Sequence, residues 1–169
     1  MFNFDYVDFF KSLPPEFATM LIAMTPIAEL RASIPIALGI YKMSIISAIF
    51  WSVLGDIIPA LFIILYLKPL SDFLCRYSKI ARIFFNWWFN RVVYRFKDKY
   101  DKYKRLALIF FVALPLPFTG SWSGAVASFL FNIPPRKAYP LIVIGVLLSA
   151  FIVTLASLGI FSAFKIFSM

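Results

Sequence analysis

From Met43 to Leu67, and again from Ala138 to Phe164, the chain is apolar, with one charge (Asp56) in the first stretch and none in the second. A membrane-crossing helix needs about 20 apolar residues at about 1.5 Å rise each, so both stretches can span a bilayer. Each carries a glycine near its centre, Gly55 and Gly145, and a proline, Pro59 and Pro140, that can kink or start such a helix without stopping it. Composition points the same way: 62% of the 169 residues are hydrophobic and 15% charged, against about 45–50% and about 25% in soluble domains. There is too little polar surface to cover a globule in water. That excludes an ordinary soluble enzyme, a disordered chain and a DNA-binding domain, and leaves a single all-α integral membrane domain.

The remaining counts narrow the chemistry. There is no His, so no imidazole base and no His-bound metal. A lone Cys75 excludes internal disulfides and Cys clusters. No P-loop, nucleophile elbow, zinc signature or paired-carboxylate constellation is present. The chain therefore reads as a non-enzyme with no catalytic residues, no metal and no cofactor. The formal charge of +9 would suggest nucleic acid in a polar protein; in a hydrophobic one it reads as anchoring against anionic lipid on the cytoplasmic side. The first residues lack the basic and small-residue features of a signal peptide.

Four segments follow along the chain: a mixed N-terminal interfacial segment (1–17), a first repeat (18–67), a basic linker (68–105) and a second repeat (106–169). In 18–42 the apolar run is interrupted by Pro26, Glu29, Arg31 and Pro35, and Pro disfavours helix at and before its position. In 106–135 the run Leu114-Pro115-Leu116-Pro117-Phe118-Thr119-Gly120-Ser121-Trp122-Ser123-Gly124 is turn chemistry. Each side of a break leaves about 8–12 helical residues, roughly half a bilayer. Two re-entrant helical hairpins are expected, each followed by a spanning helix. Pro26 and Pro115 are 89 positions apart, Gly55 and Gly145 are 90 apart, and the order of segments matches. This is the pattern of two inverted repeats whose breaks meet away from lipid.

The 68–105 linker holds eleven Lys and Arg against three Asp and is expected in the cytoplasm. Leu70, Phe73, Tyr77, Ile80, Phe84 and Trp87 recur there at helical spacing among Arg76, Lys79, Arg82 and Asn86, predicting an amphipathic helix in the interface. The hairpin arrangement puts the N-terminus outside and Arg136-Lys137 inside; four spanning helices would put both termini inside. In either case the protein is multi-pass in the cytoplasmic membrane.

Charge inside a membrane costs at least about 2.5–3.5 kcal/mol on insertion scales and marks function by default. Glu29 is accordingly a candidate proton-coupling residue and Arg31 a donor fork for an anionic group; a purely structural ion pair is the alternative. Two residues apart on a regular helix they would face different ways, so either the backbone is unwound there or each has its own partner. Asp56, beside Gly55, is a second proton or cation carrier, or a structural acid bonded within the hairpin. Thr119, Gly120, Ser121, Ser123 and Gly124 offer hydroxyls, backbone amides and a half-helix N-terminus for an anionic substrate, or simply permit close packing. Arg136 and Lys137 read as anchors.

The stretches Glu29-Leu30-Arg31-Ala32-Ser33-Ile34-Pro35, with Gly39 beyond, and Pro115-Leu116-Pro117-Phe118-Thr119-Gly120-Ser121-Trp122-Ser123-Gly124-Ala125 resemble the signature stretches of the prokaryotic small multidrug export family, which is similar to the DedA superfamily of membrane proteins. The resemblance covers roughly residues 18–164. It implies re-entrant hairpins in inverted repeats, an acidic first-hairpin residue at Glu29 followed by Pro35, and movement of polyprenyl-phosphate carriers. Where the second DedA hairpin carries an arginine, residues 118–124 are uncharged; Arg31 or Arg136 is the available substitute. The expected function is a transporter or lipid flippase for an amphiphilic, anionic, polyprenyl-phosphate-like molecule, coupled to protons. Export of cationic amphiphilic drugs is the rival, and a non-transporting membrane scaffold or assembly factor the third reading. The expected partner is a membrane lipid or amphiphile, and the thin wall around such a site leaves a homodimer open.

Overall fold

The structure, a computed structural model, describes residues 13–103, 106–114 and 119–167, and every regular element among them is helical. Of the expectations above, most of the N-terminal interfacial segment and residues 115–118 of the second break lie outside the described residues. The helices are α1 (Pro15–Ala23), α2 (Glu29–Gly39), α3 (Ile45–Tyr77), α4 (Lys79–Tyr103), α5 (Leu106–Ala113), α6 (Ser121–Leu130) and α7 (Pro135–Phe167). The chain divides into two compact units, one formed by the residues up to Asp56 with those from Ala150 onward, the other by Ile57–Ser149.

In the first unit, Pro15 starts α1 where its missing N–H costs nothing. Pro26 falls in the turn before α2, as expected, but Pro35 lies inside α2. It has no N–H for the helical bond to residue 31, yet does not stop the helix; the break is confined to residues 24–28. The short helices α1 and α2 pack on each other, and α3 lies against α1 at Gly55, where a Cβ would run into the Met20 carbonyl and the Ala23 methyl. Thr19 adds a hydrogen bond from its hydroxyl to the Met43 sulfur at 3.3 Å.

The second unit repeats that order. The short helices α5 and α6 pack on each other and on α4, and α7 crosses α5 at Gly145, where a Cβ would meet Val112 and the Ile109 carbonyl. α6 ends in a Schellman turn: Asn132 is left-handed (φ 52°), its N–H donates to Phe129 O, and the Ile133 N–H donates to Ser128 O at 2.8 Å.

Two stretches, Ile45–Leu67 of α3 and Pro135–Gly159 of α7, are long and apolar enough to cross a membrane. Burial is arranged by size. Alanine is the commonest buried apolar residue, whereas large side chains such as Ile46, Phe50, Phe62, Leu65, Leu147, Phe151 and Leu155 on these two helices are exposed. Between lipid-solvated helices there is little hydrophobic drive, so small residues that allow close approach hold the contacts. The protein is a membrane protein.

One boundary differs from the sequence expectation. α3 does not end near Leu67 but continues through Pro69 to Tyr77, and the interruption falls at Ser78. The expected amphipathic helix is thus the end of α3 plus α4. Arg82 closes the joint by donating to the Cys75 carbonyl at 3.0 Å, a cation satisfying the carbonyl end of α3.

Candidate functional site

The turn before α2 is organised by Thr25. Its hydroxyl donates to Ile22 O at 2.8 Å and accepts the Ala28 N–H at 3.4 Å, while its carbonyl accepts the Glu29 N–H at 3.1 Å. The chain then enters α2 through Glu29 in the left-handed region, φ 47°. For an L-residue that conformation costs roughly 1–2 kcal/mol and persists only where the surroundings impose it. The i→i−4 bonds continue through this point, from Glu29 to Thr25 and from Ala32 to Ala28, so the departure from regular helix is confined to the Glu29 dihedral, and Glu29 and Arg31 meet. Arg31 Nη2 lies 3.6 Å from Glu29 Oε2, an ion pair longer than a hydrogen bond.

Two serines link this pair to Asp56. Ser33 follows Glu29 by one helical turn on α2, Ser52 precedes Asp56 by one turn on α3, and the Ser33 hydroxyl donates to Ser52 Oγ at 2.7 Å. Helices joined by a connection as short as residues 40–44 run antiparallel. With residue 33 held against residue 52, one further turn brings residue 29 level with residue 56. Asp56 is midway along Ile45–Leu67, so both carboxylates lie at the middle of the apolar stretch.

Glu29 is 5% exposed and Asp56 1%, while the Arg31 side chain is 21% exposed. Of the three charged side chains, that of Arg31 is the most exposed. Ser33 and Ser52, both fully buried, escaped the sequence reading. The available signal was their i, i+4 spacing from Glu29 and Asp56.

The hydroxyl-bearing break of the second unit is built differently. The Thr119 hydroxyl donates to Leu114 O at 2.7 Å, across the start and end of the break. Gly120, with φ 135°, occupies a backbone region that favours glycine and caps α6. Ser121, Ser123 and Gly124 are buried on α6, and a Cβ on Gly124 would press on Val112 with Leu108 and Ile142 behind it. These residues set how closely α6 approaches its neighbours. Arg136 and Lys137 are exposed in the first turn of α7.

A family model described as "Putative small multi-drug export protein" matches residues 29–152, a range that opens on Glu29 and takes in the first long apolar stretch, the second break and most of the second long apolar stretch. The chain belongs to this small multi-drug export family. No curated protein and no solved structure matches it. Within this family member, Glu29, Arg31 and Asp56 lie in the first unit, and the uncharged break, Arg136 and Lys137 lie in the second.

Proposed function

We propose that this export-family member is a proton-coupled transporter of the cell membrane, multi-pass, that moves an amphiphilic anion of the polyprenyl-phosphate kind. The Glu29–Arg31 pair, with its partly exposed arginine side chain, is the observation that carries the reading. While Glu29 is ionised it holds Arg31. A proton on Glu29 discharges the pair and removes its pull on the planar fork, which a phosphate then engages in bidentate fashion. Deprotonation reclaims Arg31 and expels the head group, so proton and anion travel together. Asp56 at the same depth is the second proton-coupling residue. Thr119, Gly120, Ser121, Ser123 and Gly124 are the neutral head-group candidates of the second unit. The two short-helix pairs, each with about half the length of a spanning helix, are read as re-entrant hairpins of two inverted repeats. The lipid tail stays in the bilayer, so a chain of this size need not enclose it.

A second reading rests on charge balance. Two carboxylates to one guanidinium leave the cluster net acidic, and with the family description this favours export of cationic amphiphiles, with Glu29 and Asp56 as the cation's counter-charges.

Proteoliposomes loaded with a fluorescent polyprenyl phosphate, with a quencher reporting the outer leaflet, separate the two. Arg31→Gln and Glu29→Gln should both stop anion movement. Anion movement that survives Arg31→Gln, together with loss of dye-cation export in Glu29→Gln, would replace the first reading by the second.

A further inference from the structure

α4 presents two apolar stripes on opposite faces. One, Phe85, Trp88, Phe89 and Val92, turns inward: Phe85 and Val92 are buried and the Phe89 ring lies 6.1 Å from Phe129 of α6. The other, Ile80, Ile83, Phe84 and Trp87, has the same i, i+3, i+4, i+7 spacing but is open, with Ile80 80% and Ile83 71% exposed. Lys79, Arg82, Asn86 and Asn90, all exposed, form a polar band between the stripes. Arg91 lays its guanidinium 5.6 Å from the Trp87 ring centre, the cation–π arrangement that keeps a charge beside an apolar surface. The open stripe continues onto the end of α3 through Leu70, Phe73 and Tyr77, also exposed.

We propose that this outward face of α4 docks on the bilayer surface and takes anionic phospholipid head groups. It follows Leu67, where the apolar stretch of α3 ends, after the last ten residues of that helix. The face joins large apolar and Trp side chains to a flanking basic band, the composition of a helix lying in the interface. The segment 68–105, with eleven Lys and Arg against three Asp, complements negative lipid. A second copy fits poorly, because a two-fold contact would set two basic bands against each other.

The test uses the full chain with Cys75→Ser and single labelled cysteines at Ile83→Cys or Asn86→Cys, in nanodiscs of phosphatidylcholine with or without phosphatidylglycerol. The label at 83 is expected to be quenched by lipid-borne nitroxide and shielded from aqueous iodide, and the label at 86 to show the reverse preference. Iodide reaching 83 freely would place the face in water, and neither quencher reaching it would place it under a second copy; either overturns the proposal. For the head groups, Arg76→Gln/Lys79→Gln/Arg82→Gln should lower the preference for phosphatidylglycerol by about fivefold per charge removed. Undiminished phosphatidylglycerol enrichment in a variant that still runs as the intact protein refutes anionic recognition.

Discussion

Gly55 and Gly145 have the same role in two places: each lets a long helix lie against the first short helix of its unit, over Met20 and Ala23 in one case and Ile109 and Val112 in the other. α3 and α7 are both 33 residues long. The left-handed residues Lys42 and Asn132 both stand between a second short helix and the long helix that follows. Against this common scaffold the chemistry differs. At an offset of about 90 positions, Glu29 corresponds to Gly120, Ser33 to Gly124, Ser52 to Ile142 and Asp56 to Val146. Where Ser33 and Ser52 share a hydrogen bond, positions 124 and 142 are apolar, and a Cβ added at Gly124 would lie 3.7 Å from Ile142. Among the described residues, the buried charges are Glu29 and Asp56, both in the first unit. The charges of the first unit are where the proposed transport chemistry is concentrated.

The sharpest way to break that contrast is at the charges themselves. Arg31→Gln should bring transport to background, a loss of at least roughly 10–100-fold from the worth of a charge-assisted hydrogen bond to substrate, while Ser128→Ala in the second unit, whose hydroxyl donates to Ala125 O of its own helix, should change it little. Equal losses in liposome flux would erase the distinction.

Next in size are the glycines. Gly55→Ala and Gly145→Ala both press a methyl onto backbone or branched side chain and should each destabilise by about 1–3 kcal/mol. Gly159→Ala meets nothing within 4 Å and should be neutral or slightly stabilising. Thermal unfolding in detergent reads all three, and a tolerated Gly55→Ala would contradict the close approach of α1 and α3.

The strained backbone offers a smaller, signed effect. Glu29→Gly relieves the left-handed conformation and should raise stability by about 1 kcal/mol while abolishing proton coupling. Gly120→Ala, at φ 135°, should lower stability. A Glu29→Gly protein that unfolds more easily would show that the carboxylate contributes more to the fold than its backbone costs.

Smallest is Tyr41, between α2 and α3, whose buried hydroxyl lacks a hydrogen-bond partner and whose phenol is pushed above its ordinary value of 10.0 by burial. An acid raised in the folded state keeps its proton after the unfolded form has lost it. Stability is therefore intact below pH about 10 and declines as pH rises beyond it. Tyr41→Phe should flatten that alkaline decline and gain about 1 kcal/mol, read from unfolding at neutral and alkaline pH.

How far these features could be read from sequence varied with their physics. The two long helices were legible because a bilayer imposes a length, and Met43–Leu67 and Ala138–Phe164 meet it. The first interruption was legible because Pro26 disfavours helix, whereas of the second, residues 115–118 lie outside the described residues and Ser121–Gly124, expected as turn, are the first residues of α6. Pro35 was less informative, since a proline inside a membrane helix need not end it. Glu29 and Arg31 stood out as charges among apolar residues, but their meeting depended on one backbone dihedral that no pattern announces. Ser33 and Ser52 were hidden because serine is unremarkable in a membrane helix and becomes meaningful only once two turns of two helices are in register.

The most direct test is to count protons. If Glu29 must be protonated to free Arg31, binding of a polyprenyl-phosphate head group to the purified protein in weakly buffered solution should take up about one proton, and Glu29→Gln should bind with none. Binding with no proton uptake by the unaltered protein, or the same uptake in both, would contradict the account.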